Sequence, residues 1–516
     1  MTIFLTFLFT GLLTVFCVKR NLIEETYIPY LLMGIYAVSI TPSLQIPYMI
    51  DDTDHLFQLA RAMESSTVFQ WMFTPHNEHT IPFLRLLYYV FYKYFWLHPQ
   101  PFHLAVIAVC TGILCISYHL LFKFTNSKYT AFLGITLLAS SNLPDMAIFV
   151  TTNSHIIFCL FFLMLLFYAQ YQYCTHKSKG SIALIILSAL LAPLTFALGI
   201  LSLVFAFLFE QLCIPKKLKS TNGSTMMYVF IGWLLGFIPY LITLDKIVYS
   251  DQYKFVGATS SFQVMNIWLG AKILMLYFYH DLIPGLLPNL YLSMAIFFLA
   301  VSIGYTHRKH VDWKRIIFFL IAGFTFNFII YIFRVAWGPK ALSVSRYDVF
   351  PGLMLCMIYI ILLNPFLKKH AVYIASPAKK TIIYCCAFLL ISYSGMLRYN
   401  KANRVCSETY LTIQRLNIDL KTTTVNYFKE YPHVGHLTLK NRMVFIPRLP
   451  SLLTKRGFYP YPTRYARPLS FYNQYVVPED IRKKITYAKK TDPLFLDYIK
   501  AERWQDNLKS FTSLVE

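Results

Sequence analysis

The sequence predicts an all-α polytopic membrane protein of about twelve transmembrane helices over residues 1–397. A smaller, mixed α/β domain outside the membrane is expected over 398–516, with helical stretches near 407–430 and 493–513. Three observations carry this. Of 516 residues, 57% are hydrophobic and only 14% charged, whereas a domain in water carries about 25%. The charge is uneven: 40 charged residues fall in the first 396 positions and 31 in the last 120. Apolar runs long enough to cross a hydrocarbon core, about 17 to 25 residues, recur through the first section and stop near 397.

In chain order the expected crossings lie near 2–18, 27–47, 101–122, 130–148, 154–172, 182–196, 197–213, 226–244, 285–305, 316–333, 348–366 and 381–397. The pair 182–196 and 197–213 reads as two short helices meeting at a bend, because Pro193 and Gly199 interrupt one long run. The first segment has the length of a signal peptide but lacks a basic n-region and a small-residue cleavage site, so an anchor is expected.

Orientation follows from the lysines and arginines retained at cytoplasmic helix ends. The clusters are Lys19-Arg20, Lys123 with Lys128, Lys177 with Lys179, Lys216-Lys217-Lys219, Arg308-Lys309-Lys314-Arg315, and Lys368-Lys369 with Lys379-Lys380. An even number of crossings separates each cluster from the next, so all share the cytoplasmic side. The outer face then holds loop 48–100, loop 245–284, loop 334–347 and the tail. The net charge of +23 divides as +12 in the membrane section and +11 in the tail. The positive-inside tendency accounts for the first share, and an outer location for the tail argues against nucleic acid as its partner. The cysteines offer no metal-ligand spacing; Cys385 and Cys386 read as small buried hydrophobes.

The first outer loop is the anomaly. It holds five of the fourteen acids of the membrane section, Asp51, Asp52, Asp54, Glu64 and Glu78. Five of the fourteen histidines, His55, His76, His79, His98 and His103, lie in it or directly after it. Three carboxylates at a membrane exit repel one another and lose solvation, which raises at least one pKa and suits a general base or a cation site. The competing reading is a helix cap for residues 54–63. His76-Asn77-Glu78-His79 follows, where His76 and His79 have a bare HxxH spacing and Glu78 suits the orientation of a hydroxyl. The aromatic stretch 81–95 reads as a helix lying in the interface. Arg61 and Arg85 are expected to pair with neighbouring acids. Loop 334–347 is the opposite in charge, with Arg334, Trp337, Lys340, Arg346 and Tyr347. Cations on the outer side suit a phosphate group or simple snorkelling.

Asp51-Asp52, then His55-Leu-Phe-Gln-Leu-Ala-Arg-Ala-Met63, with Pro75-His-Asn-Glu-His79 before Pro82-Phe-Leu-Arg-Leu86 and Ser345-Arg346-Tyr347 before a late helix, resembles the GT-C superfamily of integral membrane glycosyltransferases. The chain departs from that pattern by an extra first anchor. The resemblance implies a polyprenyl-phosphate-linked sugar donor, an active site on the outer face, and a first-loop catalytic base at Asp51 or Asp52. It further implies an inverting transfer to a glycan or glycolipid acceptor of the cell envelope, such as lipopolysaccharide or O-antigen. Asp54 and Glu78 join the catalytic set. His55, His76 and His79 fall on the substrate side, as do Arg334, Lys340, Arg346 and Tyr347 at the leaving phosphate. No cofactor is demanded, although the DxD form of Asp52-Thr53-Asp54 accommodates a divalent cation, magnesium or manganese. The expected location is a bacterial inner (plasma) membrane, with site and tail on the periplasmic side among membrane lipid. The alternatives are a polysaccharide polymerase or ligase of the envelope, and a lipid or sugar transporter. A transporter predicts ionisable groups at mid-membrane depth or inverted repeats.

Overall fold

Each of the twelve apolar segments contains a helix. The computed structural model describes residues 2–20, 24–46, 55–56, 58–59, 62–63, 66–75, 80–95, 99–141, 154–218, 224–248, 290–334, 349–370 and 376–422. These are helical almost throughout and hold no strand. The helices are α1 (Thr2–Lys19), α2 (Ile28–Ser39), α3 (Val68–Phe73), α4 (Pro82–Phe95), α5 (Gln100–Thr125), α6 (Lys128–Ser140) and α7 (Ser154–His176). They continue with α8 (Lys179–Thr195), α9 (Ser202–Cys213), α10 (Ser224–Val248), α11 (Leu290–Thr306), α12 (Trp313–Arg334), α13 (Val349–Lys369) and α14 (Pro377–Thr422). Five of the described stretches, Gln100–Thr125, Ser154–His176, Thr225–Thr243, Val349–Lys369 and Lys379–Arg404, are long and apolar enough to cross a membrane. Their neighbours are shorter apolar helices. Exposed Phe9, Ile242, Leu299 and Ile382, each more than half accessible, make the flank of the bundle apolar, as a lipid-facing surface requires.

The bundle has two chemically different ends. At one, tight turns reverse the chain with the same device twice. Asn126 and Lys177 take left-handed backbone (φ 50° and 48°) and close the last turns of α5 and α7 onto Phe122 O and Tyr173 O, both at 2.8 Å. The serines that follow, Ser127 and Ser178, cap α6 and α8 through the amides of Thr130 (3.2 Å) and Ser181 (3.1 Å). This end gathers the basic clusters: Lys380 pairs with Glu25 at 3.2 Å, the His307 ring lies 6.3 Å from that of Phe366, and Arg315 reaches Phe124 O and Cys213 O.

At the opposite end the described residues between α2 and α5 pack against the helices. His103 Nε2 lies 3.0 Å from Ile46 O, and Phe83 of α4 meets Phe158 and Phe162 of α7. The helix expected at 81–95 is present as α4. It buries Leu84, Arg85, Tyr88 and Tyr92 on one side and leaves Leu86, Tyr94 and Phe95 exposed, the pattern of a helix lying across a surface.

Three buried arginines clamp helix C-termini. Arg398 (1% exposed) donates to Ser39 Oγ (3.1 Å) at the end of α2, and to Ala139 O (2.9 Å) and Ser141 O (2.8 Å) at the end of α6. Arg315 donates to Phe124 O (2.7 Å) and Cys213 O (3.3 Å), at the ends of α5 and α9. Arg85 donates to Trp71 O and Thr74 O at the end of α3. Each guanidinium also covers an aromatic ring, Tyr36, Phe124 and Trp71 respectively, at 4.6 to 5.1 Å. The last carbonyls of a helix have no intrahelical partner and carry partial negative charge, so an arginine fork satisfies both needs.

The bend between α8 and α9 is as the sequence predicts. Phe196 is extended, a 3-10 turn spans Ala197–Leu201, and a Cβ on Gly199 would lie 2.1 Å from Ala192 O. Gly232 and Gly236 of α10 do similar work along a helix face: a Cβ at either would come within 2.3 Å of Ile186 O and 2.5 Å of Leu190 O on α8. Small residues four apart let two backbones touch. Gly232→Leu is therefore expected to lower stability by about 1–3 kcal/mol in detergent melts. Gly34→Ala, with nothing within 4 Å of the new Cβ, should raise it by about 0.5–1 kcal/mol through helix propensity.

Two sequence expectations are modified. Cys386 is exposed on the bundle flank and Cys385 only half-buried, and none of the nine described cysteines forms a disulfide; an exposed thiol here faces away from the core. Helix α14 joins the apolar run 381–397 and the helical stretch expected near 407–430 into one element of 46 residues that runs to Thr422. At 1.5 Å per residue that is about 70 Å, more than twice a hydrocarbon core of about 30 Å. Residues 423–516, where the mixed α/β domain is expected, lie outside the described residues.

Candidate functional site

The end of the bundle opposite the lysine clusters holds the described flanks of the segments that the sequence marks for chemistry. Residues 47–54 leave from Ile46, whose carbonyl is at hydrogen-bond distance from His103. Residues 76–79 are bracketed by two fixed points. On one side Thr74 O accepts from Arg85. On the other, Thr80 is held by Tyr240, whose hydroxyl lies 2.8 Å from Thr80 O and 3.0 Å from Pro193 O, and by Thr243, whose hydroxyl is 3.1 Å from that of Thr80. Those contacts tie the start of the segment leading into α4 to α8 and α10 and satisfy a carbonyl near the C-terminus of α8. Residues 335–348 join the ends of α12 and α13, which pack antiparallel there with the Phe326 and Phe350 rings stacked at 4.6 Å.

Of the site residues read from the sequence, His55 is described in full. It is 0% exposed and stacked on Tyr88 of α4 (5.4 Å, 26°). So placed, its ring packs the residues after the Asp triplet against α4. Arg334 is the last residue of α12, with its side chain outside the described residues. Asp51, Asp52, Asp54, His76, Glu78, His79, Lys340, Arg346 and Tyr347 all lie outside the described residues, as do Arg61 and Glu64. Arg85, expected to pair with an acid, has its guanidinium on the two carbonyls that end α3 and on the face of Trp71.

Sequence reasoning missed Arg398, Tyr240 and Thr243, the side chains that frame this end. An arginine at the close of an apolar run was visible as a charge but not as a clamp, because its partners are 257 to 359 positions away. Among the described residues no group of three or more His, Cys, Asp or Glu side chains is arranged to hold a metal ion.

Fold and charge together define the class: an α-helical membrane-type bundle with one lysine-rich end and, at the other, the short helices α3 and α4. No family model, no curated protein and no solved structure matches the chain.

Proposed function

We propose that the chain is a GT-C-like membrane glycosyltransferase with twelve crossings. It moves a sugar from a polyprenyl-phosphate donor to a cell-envelope glycan or glycolipid on the outer face. The observation that carries this reading is the convergence at one bundle end. The flanks of the Asp51–Asp54 segment, of the His76–His79 segment and of the Arg334–Tyr347 segment all belong to the end away from the lysine clusters. Carboxylates and cations at one membrane surface suit a hydroxyl acceptor meeting a phosphate leaving group. The motif resemblance of the first loop supports the sugar class.

In the proposed step, Asp51 or Asp52 takes the proton of the acceptor hydroxyl, whose oxygen forms a bond to the anomeric carbon from the face opposite the phosphate. The carbon–oxygen bond to phosphate breaks, and its electron pair departs with the polyprenyl phosphate. Arg334, Lys340 and Arg346 meet the growing negative charge. Glu78 and His79 orient the sugar or acceptor. Polar groups gathered at a surface favour this over transport, which calls for ionisable groups at mid-depth.

The test is incubation of the purified full chain, in detergent and in lipid nanodiscs, with a panel of radiolabelled polyprenyl-phosphate hexoses and pentoses and an envelope lipid extract. Release of polyprenyl phosphate with label moving to the extract is expected. No release from any donor, with the protein folded, overturns the reading.

A further inference from the structure

At the lysine-rich end, remote from the chemistry just described, a cavity of about 410 Å³ opens between α2, the α5–α6 turn, α13 and α14. Two carboxylates (Glu24, Glu25), two ammonium groups (Lys128, Lys380) and three phenols (Tyr118, Tyr129, Tyr384) line it. Glu25 accepts from Lys380 at 3.2 Å and from the Tyr384 hydroxyl. That ion pair is well exposed, and such pairs are weak and exchange readily. The other groups hold donor and acceptor capacity in reserve. Lys128 has no ion-pair partner among the described residues. Glu24 accepts from the Thr26 hydroxyl at 3.0 Å, leaving carboxylate lone pairs spare. The Tyr129 hydroxyl oxygen is buried with no hydrogen-bond partner, and a buried polar group of that kind calls for one.

The charges balance. A simple anion would meet Glu24 and Glu25, and a simple cation would meet Lys128 and Lys380, so neither suits the cavity as well as a ligand bearing both signs. Pro29, Phe132 and Leu367 supply an apolar wall, and the cavity sits where the apolar flank gives way to charged turns, the depth of lipid headgroups.

We propose that this cavity binds the headgroup of an amine-bearing phosphodiester lipid, of phosphatidylethanolamine type, with phosphate on Lys128 and Tyr129 and ammonium on Glu24 and Glu25. The proposal goes beyond the transferase reading and does not depend on it, since the site lies at the other end of the bundle. A soluble phosphoethanolamine ester offers the same chemistry without the acyl chains, and the apolar wall favours the lipid.

Native mass spectrometry of the full-length chain tests this, after exposure to equimolar phosphatidylethanolamine, phosphatidylglycerol and phosphatidylcholine. Phosphatidylethanolamine should be retained about tenfold over the other two, the contribution of one good charge-assisted contact. Phosphatidylglycerol lacks the ammonium, and phosphatidylcholine cannot donate from nitrogen. Tyr129→Phe and Glu24→Gln should each pull retention towards parity while the melting temperature stays unchanged. Equal retention of the three lipids, or unchanged preference in both variants, overturns the site. Displacement of the lipid by equimolar glycerophosphoethanolamine overturns the lipid as the ligand. Sugar transfer is not read, so failure here leaves the transferase reading standing.

Discussion

Asp51→Asn or Asp52→Asn should lower sugar transfer by about 10²–10⁴, the usual worth of a positioned general base. Asparagine keeps the shape and most of the hydrogen bonding of the carboxylate but cannot take the acceptor's proton. The loss should appear in kcat at saturating donor, with KM for the donor little changed, because the proton moves only as the bond forms. The two variants should differ. The residue acting as base gives the large effect, and its neighbour a smaller one through the negative charge it no longer contributes. Asp54→Asn separates a cation site from a cap: only the former makes activity respond to added magnesium or manganese in that variant. Full transfer by both the Asp51 and the Asp52 variants would remove the first loop from the chemistry.

Arg398→Ala should destabilise the fold by about 3 kcal/mol or more, measured by thermal or denaturant unfolding in detergent. The guanidinium is 1% exposed and serves Ser39 Oγ, Ala139 O and Ser141 O at once. Truncation leaves two helix-terminal carbonyls buried without a donor and removes the positive charge from the C-terminal ends of α2 and α6. Arg398→Lys should recover only part of this, since an ammonium on a flexible stem does not present the planar fork that meets three acceptors. Lys369→Ala, on the exposed end of α13, should stay within about 0.5 kcal/mol of the parent. An Arg398→Ala protein that unfolds like the Lys369 variant would show that the clamp does not hold these helices. The consequence reaches the candidate site, because Ser39 precedes the turn leading to residues 47–54 and Ser141 precedes residues 142–153.

Much of the architecture was legible because bilayer crossing leaves a one-dimensional signature. Helices occupy all twelve apolar runs; the α8–α9 bend follows from Pro193 and Gly199, and the amphipathic α4 from the spacing of Leu84, Tyr88 and Tyr92. The gathering of the lysine clusters at one end was legible too, since their parity along the chain is enough to predict it. The helical stretch near 407–430 was expected, but its continuity with the apolar run as one helix, α14, was not. Past Arg398 its residues turn polar, and polarity marks where an apolar surround ends, not where a helix does. The candidate site was legible as residue types, the acids of the first loop and the cations of 334–347, but not as a set of supports.

The sequence by itself determined the class, the helices and the gathering of the basic clusters at one end, since each depends on local composition and on the bilayer length scale. Only the tertiary structure decided which side chains bind those helices together. Arg398 meets carbonyls more than 250 positions away, Tyr240 fixes Thr80 from 160 positions away, and the backbone of α10 rests on α8 through Gly232. Hydropathy is a property of neighbours along the chain, whereas a buried hydrogen bond depends on which distant carbonyl the fold leaves without a donor.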